Sequence, residues 1–217
     1  MKNAWETYGA AYLGGQLLVA RVENDGTRTM VTALLTAEDN LNGDSLEKGR
    51  IFFNAGDRIA VVKKIHIKNV SPEDAIGRVR FEMASSLLDQ PENFYIDALP
   101  IDENGKYRRF LSIAYHREEI DQQIEKYTDL LRKPSGFKLD AVALADGYLN
   151  FCQVEPGDLQ VLVNIESESV VLAIIYRQKL RAVGRLEITP GDEITSKTAT
   201  GLASELKMTV SYHLAEL

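Results

Sequence analysis

The chain has 217 residues, 45% of them hydrophobic and 26% charged, with a formal net charge of -7 and an isoelectric point near 5.1. That composition excludes a disordered tail or a fibre and suffices for one sizeable core or two small ones. An acidic chain also lacks the basic face that phosphate neutralisation requires, which argues against nucleic acid as a partner.

The one cysteine, Cys152, rules out an internal disulfide and fits a reducing compartment; next to Phe151 it reads as a small buried hydrophobe. His66, His116 and His213 lie far apart without ligand spacing, so no metal site is expected. The first residues, MKNAWETYGAAYLGG, carry one lysine and no long apolar stretch, unlike a signal peptide. The longest strongly apolar run, Val170 to Tyr176, is about a third of what a membrane-spanning helix needs, so no direct membrane span is expected.

In chain order, QLLVARVE and TMVTALLT flank NDGTR, whose Asp25-Gly26 pair predicts a hairpin. IAVVKKIHIK alternates Ile59, Val61, Ile65 and Ile67, the pattern of a half-buried strand. Ser71-Pro72-Glu73-Asp74 supplies an N-cap, a proline at the first helical position and acids at the positive end of the dipole. A helix is expected to about Leu88, with Ile76, Val79, Met83 and Leu87 on its buried face. After Pro91, strands FYIDALPI and RRFLSIAY meet around Asn104-Gly105, with Lys106, Arg108 and Arg109 as a solvated basic shoulder. A second helix from about Arg117 places Ile120, Ile124, Tyr127 and Leu131 on one face and ends at KPSG; FKLDAVAL then reads as a strand. These elements make a strand-helix-strand-strand-helix-strand module of the size of a small inserted domain.

LQVLVNI, SVVLAIIY and KLRAVGRLEI, within residues 159 to 188, repeat the strand, tight turn, strand, hairpin, strand pattern of the first part with slight identity. SKTATGLASELKMTVSYHLAEL closes as an amphipathic helix carrying Ala199, Leu202, Leu206, Val210 and Leu214.

The stretches VVKKIHIKNVSPEDAIGRVRFEMASSLL, FYIDALPID and RRFLSIAYHREEIDQQIEKYTDLLRKPSGFKLDAVALA resemble the central part of the PilM family of type IV pilus assembly proteins. That family is related to the cell-division protein FtsA and, more distantly, to the cytoplasmic part of the type II secretion protein GspL. The resemblance continues through VLVNIESESVVLAIIYRQKLRAVGRLEITPGDEIT, where Pro190-Gly191-Asp192-Glu193-Ile194-Thr195 runs parallel to a glycine-aspartate turn of the family. It covers nearly the whole chain in order and spacing, although no single motif is strict. It implies an α/β, actin-like (ribonuclease H-like) fold of duplicated sheet halves with an inserted small α+β domain. The implied division is 1–69 for the first half, 70–144 for the insert and 145–217 for the start of a second half, truncated before its helical lobe and closing strands.

In active members of that superfamily each half presents a phosphate loop reading roughly Asp-x-Gly. The acid organises a hydrated magnesium ion and the glycine lets backbone amides approach the phosphates. The matching positions here are Tyr12-Leu13-Gly14-Gly15 and Asn164-Ile165-Glu166-Ser167, so a glycine survives in the first loop and both acids are gone. Glu166 at the second glycine position would face a phosphate. Two unit charges about 4 Å apart at an effective dielectric of about 20 repel by roughly 4 kcal/mol, on the order of a thousandfold in affinity. Gly14, Gly15, Asn164, Glu166, Ser167 and Gly191 are thus candidate positions of a degenerate nucleotide site. ATP with magnesium is disfavoured, no cofactor is expected, and no enzymatic activity is expected. The simpler reading, and the favoured one, takes Gly14 and Gly15 as turn glycines and Ser167 and Ser169 as turn caps that bind nothing.

The resemblance implies instead a non-catalytic cytoplasmic scaffold, peripheral to the inner membrane through its partners. It would receive the N-terminal cytoplasmic tail of a PilN-like inner-membrane protein in a groove walled by the strand from Val61 to Lys68 and the helix from Pro72 to Leu88. Self-association through apolar surface left open by the truncation is a further expectation. An actin-like ATPase regulating assembly and an FtsA-like filament former remain open alternatives.

Overall fold

The computed structural model describes residues 5–13, 16–36, 49–56, 59–68, 71–104, 106–130, 133–153, 155–165, 169–188 and 196–215. In chain order the elements are β1 (Trp5–Leu13), β2 (Gln16–Asn24), β3 (Thr29–Thr36), β4 (Arg50–Asn54), β5 (Ala60–Lys68), α1 (Pro72–Ala84), β6 (Phe94–Asn104), β7 (Tyr107–His116) and α2 (Arg117–Leu130). There follow β8 (Gly136–Lys138), α3 (Asp140–Phe151), β9 (Leu159–Ile165), β10 (Ser169–Tyr176), β11 (Lys179–Glu187) and α4 (Ser196–Leu214). The strands form a five-stranded sheet in the order β3-β2-β1-β4-β8 and two three-stranded sheets, β5-β7-β6 and β11-β10-β9. The chain forms two compact units, one of Met1–Lys63, Arg80–Asp97 and Ser112–Asp140, the other of Lys64–Val79, Ala98–Leu111 and Ala141–Leu217.

Local chemistry explains the hairpins. At the β2–β3 turn Asp25 Oδ1 accepts from the Thr27 N–H at 2.8 Å and the Arg28 N–H at 3.0 Å, while Gly26 takes φ of 90°, as only glycine does cheaply. The β10–β11 turn is two residues long, and Arg177 and Gln178 both hold positive φ, as a primed hairpin turn demands.

The first sheet buries alternate residues: Tyr8 and Ala10 on β1, Leu17 and Val19 on β2, Ile51 and Phe53 on β4. Helix α2 covers that face, with the Tyr127 ring 4.6 Å from that of Phe53. Gly49 is required where it stands, because a Cβ there would sit 2.4 Å from the Tyr8 ring. In the second unit β10 is buried on both faces from Ser169 to Ile175, which is why its sequence is an unbroken apolar run rather than an alternating one. Val170, Leu172 and Ile188 form a cluster there that Leu206 of α4 helps to close.

The two meanders share an irregularity. The β2–β3 ladder skips Thr32 and the β10–β11 ladder skips Arg181, so the third strand of each carries a bulge. The bulge directs Arg181 toward β6. Its Nη1 donates to the Ile101 carbonyl at 2.7 Å and lies 3.0 Å from Asp102 Oδ1, and its Nε donates to the Tyr176 carbonyl at 3.2 Å. Asp102 also pairs with Arg109, and Arg108 with Glu103 at 3.1 Å. The expected solvated basic shoulder is therefore, at Arg108 and Arg109, a set of partly buried ion pairs.

Other expectations are corrected. FKLDAVAL yields only the three-residue β8, which joins β4 of the first sheet rather than the sheet of β5, β6 and β7. From Asp140 onward the alanine-rich run folds as α3, where helix propensity outweighs the short apolar pattern. Helix α1 ends at Ala84 instead of near Leu88, because Ser85 and Ser86 turn their hydroxyls onto the Phe81 and Met83 carbonyls. Its buried face is Ala75, Val79 and Met83, a strict four-residue repeat that leaves Ile76 exposed. Cys152 is exposed, one residue past the end of α3. Leu131 and the side chains of Ala199, Leu202 and Leu214 lie outside the described residues, as does Gly105.

Candidate functional site

The strands that flank the two stretches singled out by the sequence are described. The β1–β2 ladder closes at Leu13 and Gln16, and the β9–β10 ladder reaches Ile165 and Val170. Gly14, Gly15, Glu166, Ser167 and Gly191 lie outside the described residues. Asn164 is described: it is an exposed residue of β9, opposite Val171. A neutral amide there cannot supply the charge that organises a hydrated magnesium ion. Among the described residues no group of three or more His, Cys, Asp or Glu is arranged to hold a metal ion.

The proposed groove walls are both present as elements. Strand β5 lies at an edge of its sheet, burying Ile65 and Ile67 while Val61 is exposed. On α1, Phe81 is 74% exposed and Leu88, just beyond the helix, is fully exposed, so apolar side chains stand in water at both.

A third feature was not foreseen. The start of α2 lines a hollow of about 560 Å³ with Asp89, Asn93, His116, Glu118, Asp121 and Glu125 among its residues. Asp89 accepts from the Asn93 amide at 2.8 Å and the Gln90 N–H at 2.7 Å, which hold its carboxyl below the usual range, helped by His116 at 3.7 Å. Tyr95 donates to Asp121 at 2.9 Å, which raises its phenol, and the Arg117 guanidinium stacks 4.1 Å from the Tyr95 ring. The result is an acidic surface cup held by hydrogen bonds. Its one sequence signal is the spacing of Glu118, Asp121 and Glu125, on the helix face away from Ile120 and Tyr127.

The paired meanders and their neighbouring strands and helices define the chain as α/β with an actin-like fold. No protein-family model and no curated protein matches the sequence. Solved structures do match. A PilM–PilN type IV pilus biogenesis complex aligns with a TM-score of 0.62 and 15% identity over 83% of this chain and 61% of that one. The cytoplasmic domain of EpsL, an inner-membrane component of the type II secretion system of Vibrio cholerae, aligns with a TM-score of 0.50 and 7% identity over 84% of this chain and 71% of that one. A Bacteroides thetaiotaomicron protein with an actin-like ATPase fold and unknown function gives 0.51 and 8% over 95% and 77%. At these identities the likeness is one of fold, and the chain spans less than two thirds of the PilM–PilN structure's chain. Among the described residues no helix is long and apolar enough to cross a membrane.

Proposed function

We propose that this chain is a non-catalytic scaffold of a type IV pilus or related type II secretion machine, working on the cytoplasmic side of the inner membrane. It would bind the N-terminal cytoplasmic tail of a PilN-like inner-membrane protein, with residues 70–144 as the inserted domain beside the groove. The observation that carries this reading is the fold match to the PilM–PilN complex over 83% of the chain. The exposed edge of β5 and the exposed Val61, Phe81 and Leu88 are the apolar surface offered to the peptide. No cofactor is assigned, because the resemblance matches Asn164 to the position of the acid that organises magnesium in active members.

The test is calorimetry with a synthetic peptide copying the cytoplasmic tail of the inner-membrane protein of the same assembly, and with ATP in the presence and absence of magnesium. The peptide is expected to bind, and Val61→Asp or Phe81→Asp to weaken it about tenfold or more, a loss of about 1.4 kcal/mol, with the circular dichroism unchanged. ATP is expected not to bind the native chain. Absence of peptide binding removes the scaffold reading, and magnesium-dependent ATP binding at micromolar levels replaces it with an ATP-regulated assembly protein.

A further inference from the structure

Helix α2 buries Ile120 and Tyr127 and leaves Glu118, Asp121 and Glu125 exposed, where they line the same hollow as Asp89. Four carboxylates there face one guanidinium, that of Arg117, which is stacked on the Tyr95 ring. Asp89 and Asp121 are engaged by hydrogen bonds from Asn93, the Gln90 N–H and Tyr95. The Glu118 and Glu125 carboxylates have no hydrogen-bond or ion-pair partner among the described residues. Acids on an exposed helix face are by themselves an ordinary solvated surface. This one continues into apolar surface: Leu88, fully exposed, directly precedes Asp89, and Phe81 stands exposed in the last turn of α1. All of these residues belong to the same compact unit.

We infer that the hollow and the apolar surface are one binding face, on which the hollow takes the basic, membrane-proximal end of the partner's tail while Phe81 and Leu88 take the apolar part before it. This rests on the scaffold reading above and adds the chemistry and the direction of the tail to it. Cytoplasmic segments within roughly 15–20 residues of a membrane span carry an excess of lysine and arginine, so the end of such a tail that nears the membrane is its cationic end. An acidic hollow attracts that end and an apolar patch does not. The other proposed wall, β5, is basic instead, with Lys63, Lys64 and Lys68, and repels it. Glu118 and Glu125 stand two turns apart on α2, about 10 Å along its axis. An extended segment covers that distance in about three residues, so two cations spaced by three can each meet a carboxylate.

The probes are the tail peptide of the preceding test, the same peptide with each lysine and arginine replaced by glutamine, and tetralysine as a charge-only control, each titrated into the full chain by calorimetry. Glu118 and Glu125 are exposed and off the buried face of α2, so Glu118→Gln combined with Glu125→Gln leaves the fold intact. That double variant is expected to weaken the native tail about tenfold or more and to leave the affinity of the glutamine peptide unchanged, a difference that raised salt removes. A nitroxide at the membrane-proximal end of the tail is expected to broaden the amide resonances of Glu118 to Gln122, and one at the opposite end those of Phe81 and Leu88. If the tail binds and Phe81→Asp weakens it while the double variant changes its affinity less than about twofold, the hollow is no part of the site and the scaffold reading stands without it. Tetralysine binding as tightly as the tail, nitroxide effects reversed end for end, or a tail with no lysine or arginine before its membrane span equally overturns the inference. Failure of both tail peptides to bind removes the scaffold reading and this inference with it.

Discussion

Arg181→Ala should be the most costly polar substitution in the second unit. The side chain is only 10% exposed and holds three oxygens, the Ile101 carbonyl at 2.7 Å, Asp102 Oδ1 at 3.0 Å and the Tyr176 carbonyl at 3.2 Å. A hydrogen bond involving a charged group contributes about 1.5–3 kcal/mol, and removing one member of a buried pair costs about 3–5 kcal/mol. Asp102 is 28% exposed and keeps Arg109, which moves the expectation to the lower part of that range, about 2–4 kcal/mol. Arg181→Lys keeps the charge and loses the fork, and should cost about half as much. Urea unfolding followed by far-ultraviolet circular dichroism measures both. The dependence on pH adds a second check. Burial alone would raise the Asp102 carboxyl, but the hydrogen bond from Arg181 leads the group of interactions, with the Glu103 N–H and Arg109, that hold it below the usual carboxylate range. A depressed folded value means that this stability is present above the unfolded value, about 3.9, and is lost as pH falls through the folded one. The penalty of Arg181→Ala should therefore shrink on acidification below about pH 4. A change within about 0.5 kcal/mol at neutral pH, or a penalty that does not shrink in acid, would refute the clamp.

Two more outcomes follow from single residues. Met83→Ala, at a site with no exposure, should cost about 2–5 kcal/mol in the same unfolding assay, whereas Phe81→Ser, at a largely exposed position on the same helix, should be close to neutral. Asp25, whose carboxylate accepts from the Thr27 hydroxyl and from the Arg28 and Thr27 amides, should titrate at about 2 by carbon-detected nuclear magnetic resonance. Its depressed value places the associated loss of turn stability in acid, between the unfolded value and the folded one; titration near 4 would show that the turn is open in solution.

The parts of the fold that were legible in the sequence are those specified over a few residues. Asn24-Asp25-Gly26 encodes its turn by side-chain hydrogen bonds and a positive φ, and Ser71 accepts from the Asp74 N–H at 3.2 Å at the start of α1. The apolar spacing of α2 located Ile120 and Tyr127 in the core. What failed was set at longer range. RIFFN is too short to declare itself, and becomes β4 only because β1 and β8 flank it. DAVALADGYLNF fits a strand or a helix until its surroundings decide, and a one-residue error in the phase of α1 turned Ile76 inward on paper. The candidate site shows the same limit. Asn164, read as part of a turn, lies instead within β9 opposite Val171, and the acidic cup at α2 needs Asp89 and Asn93 beside Glu118 and Glu125, positions that no spacing rule joins.

The placement of β8 bears on the order in which the protein is made. β4 leaves the ribosome early, but its outer edge gains a partner only after β5, α1, β6, β7 and α2 have been synthesised, when Phe52 pairs with Gly136 and the Ser135 and Ala55 amides bond to the Ile51 and Lys138 carbonyls at 2.7 and 3.1 Å. The nascent first sheet therefore waits, open at one side, for a strand encoded beyond the intervening segment. Stop codons anywhere in that segment would damage the N-terminal sheet as well as what they delete, and the aggregation of such shortened products would report on β4 rather than on the missing part.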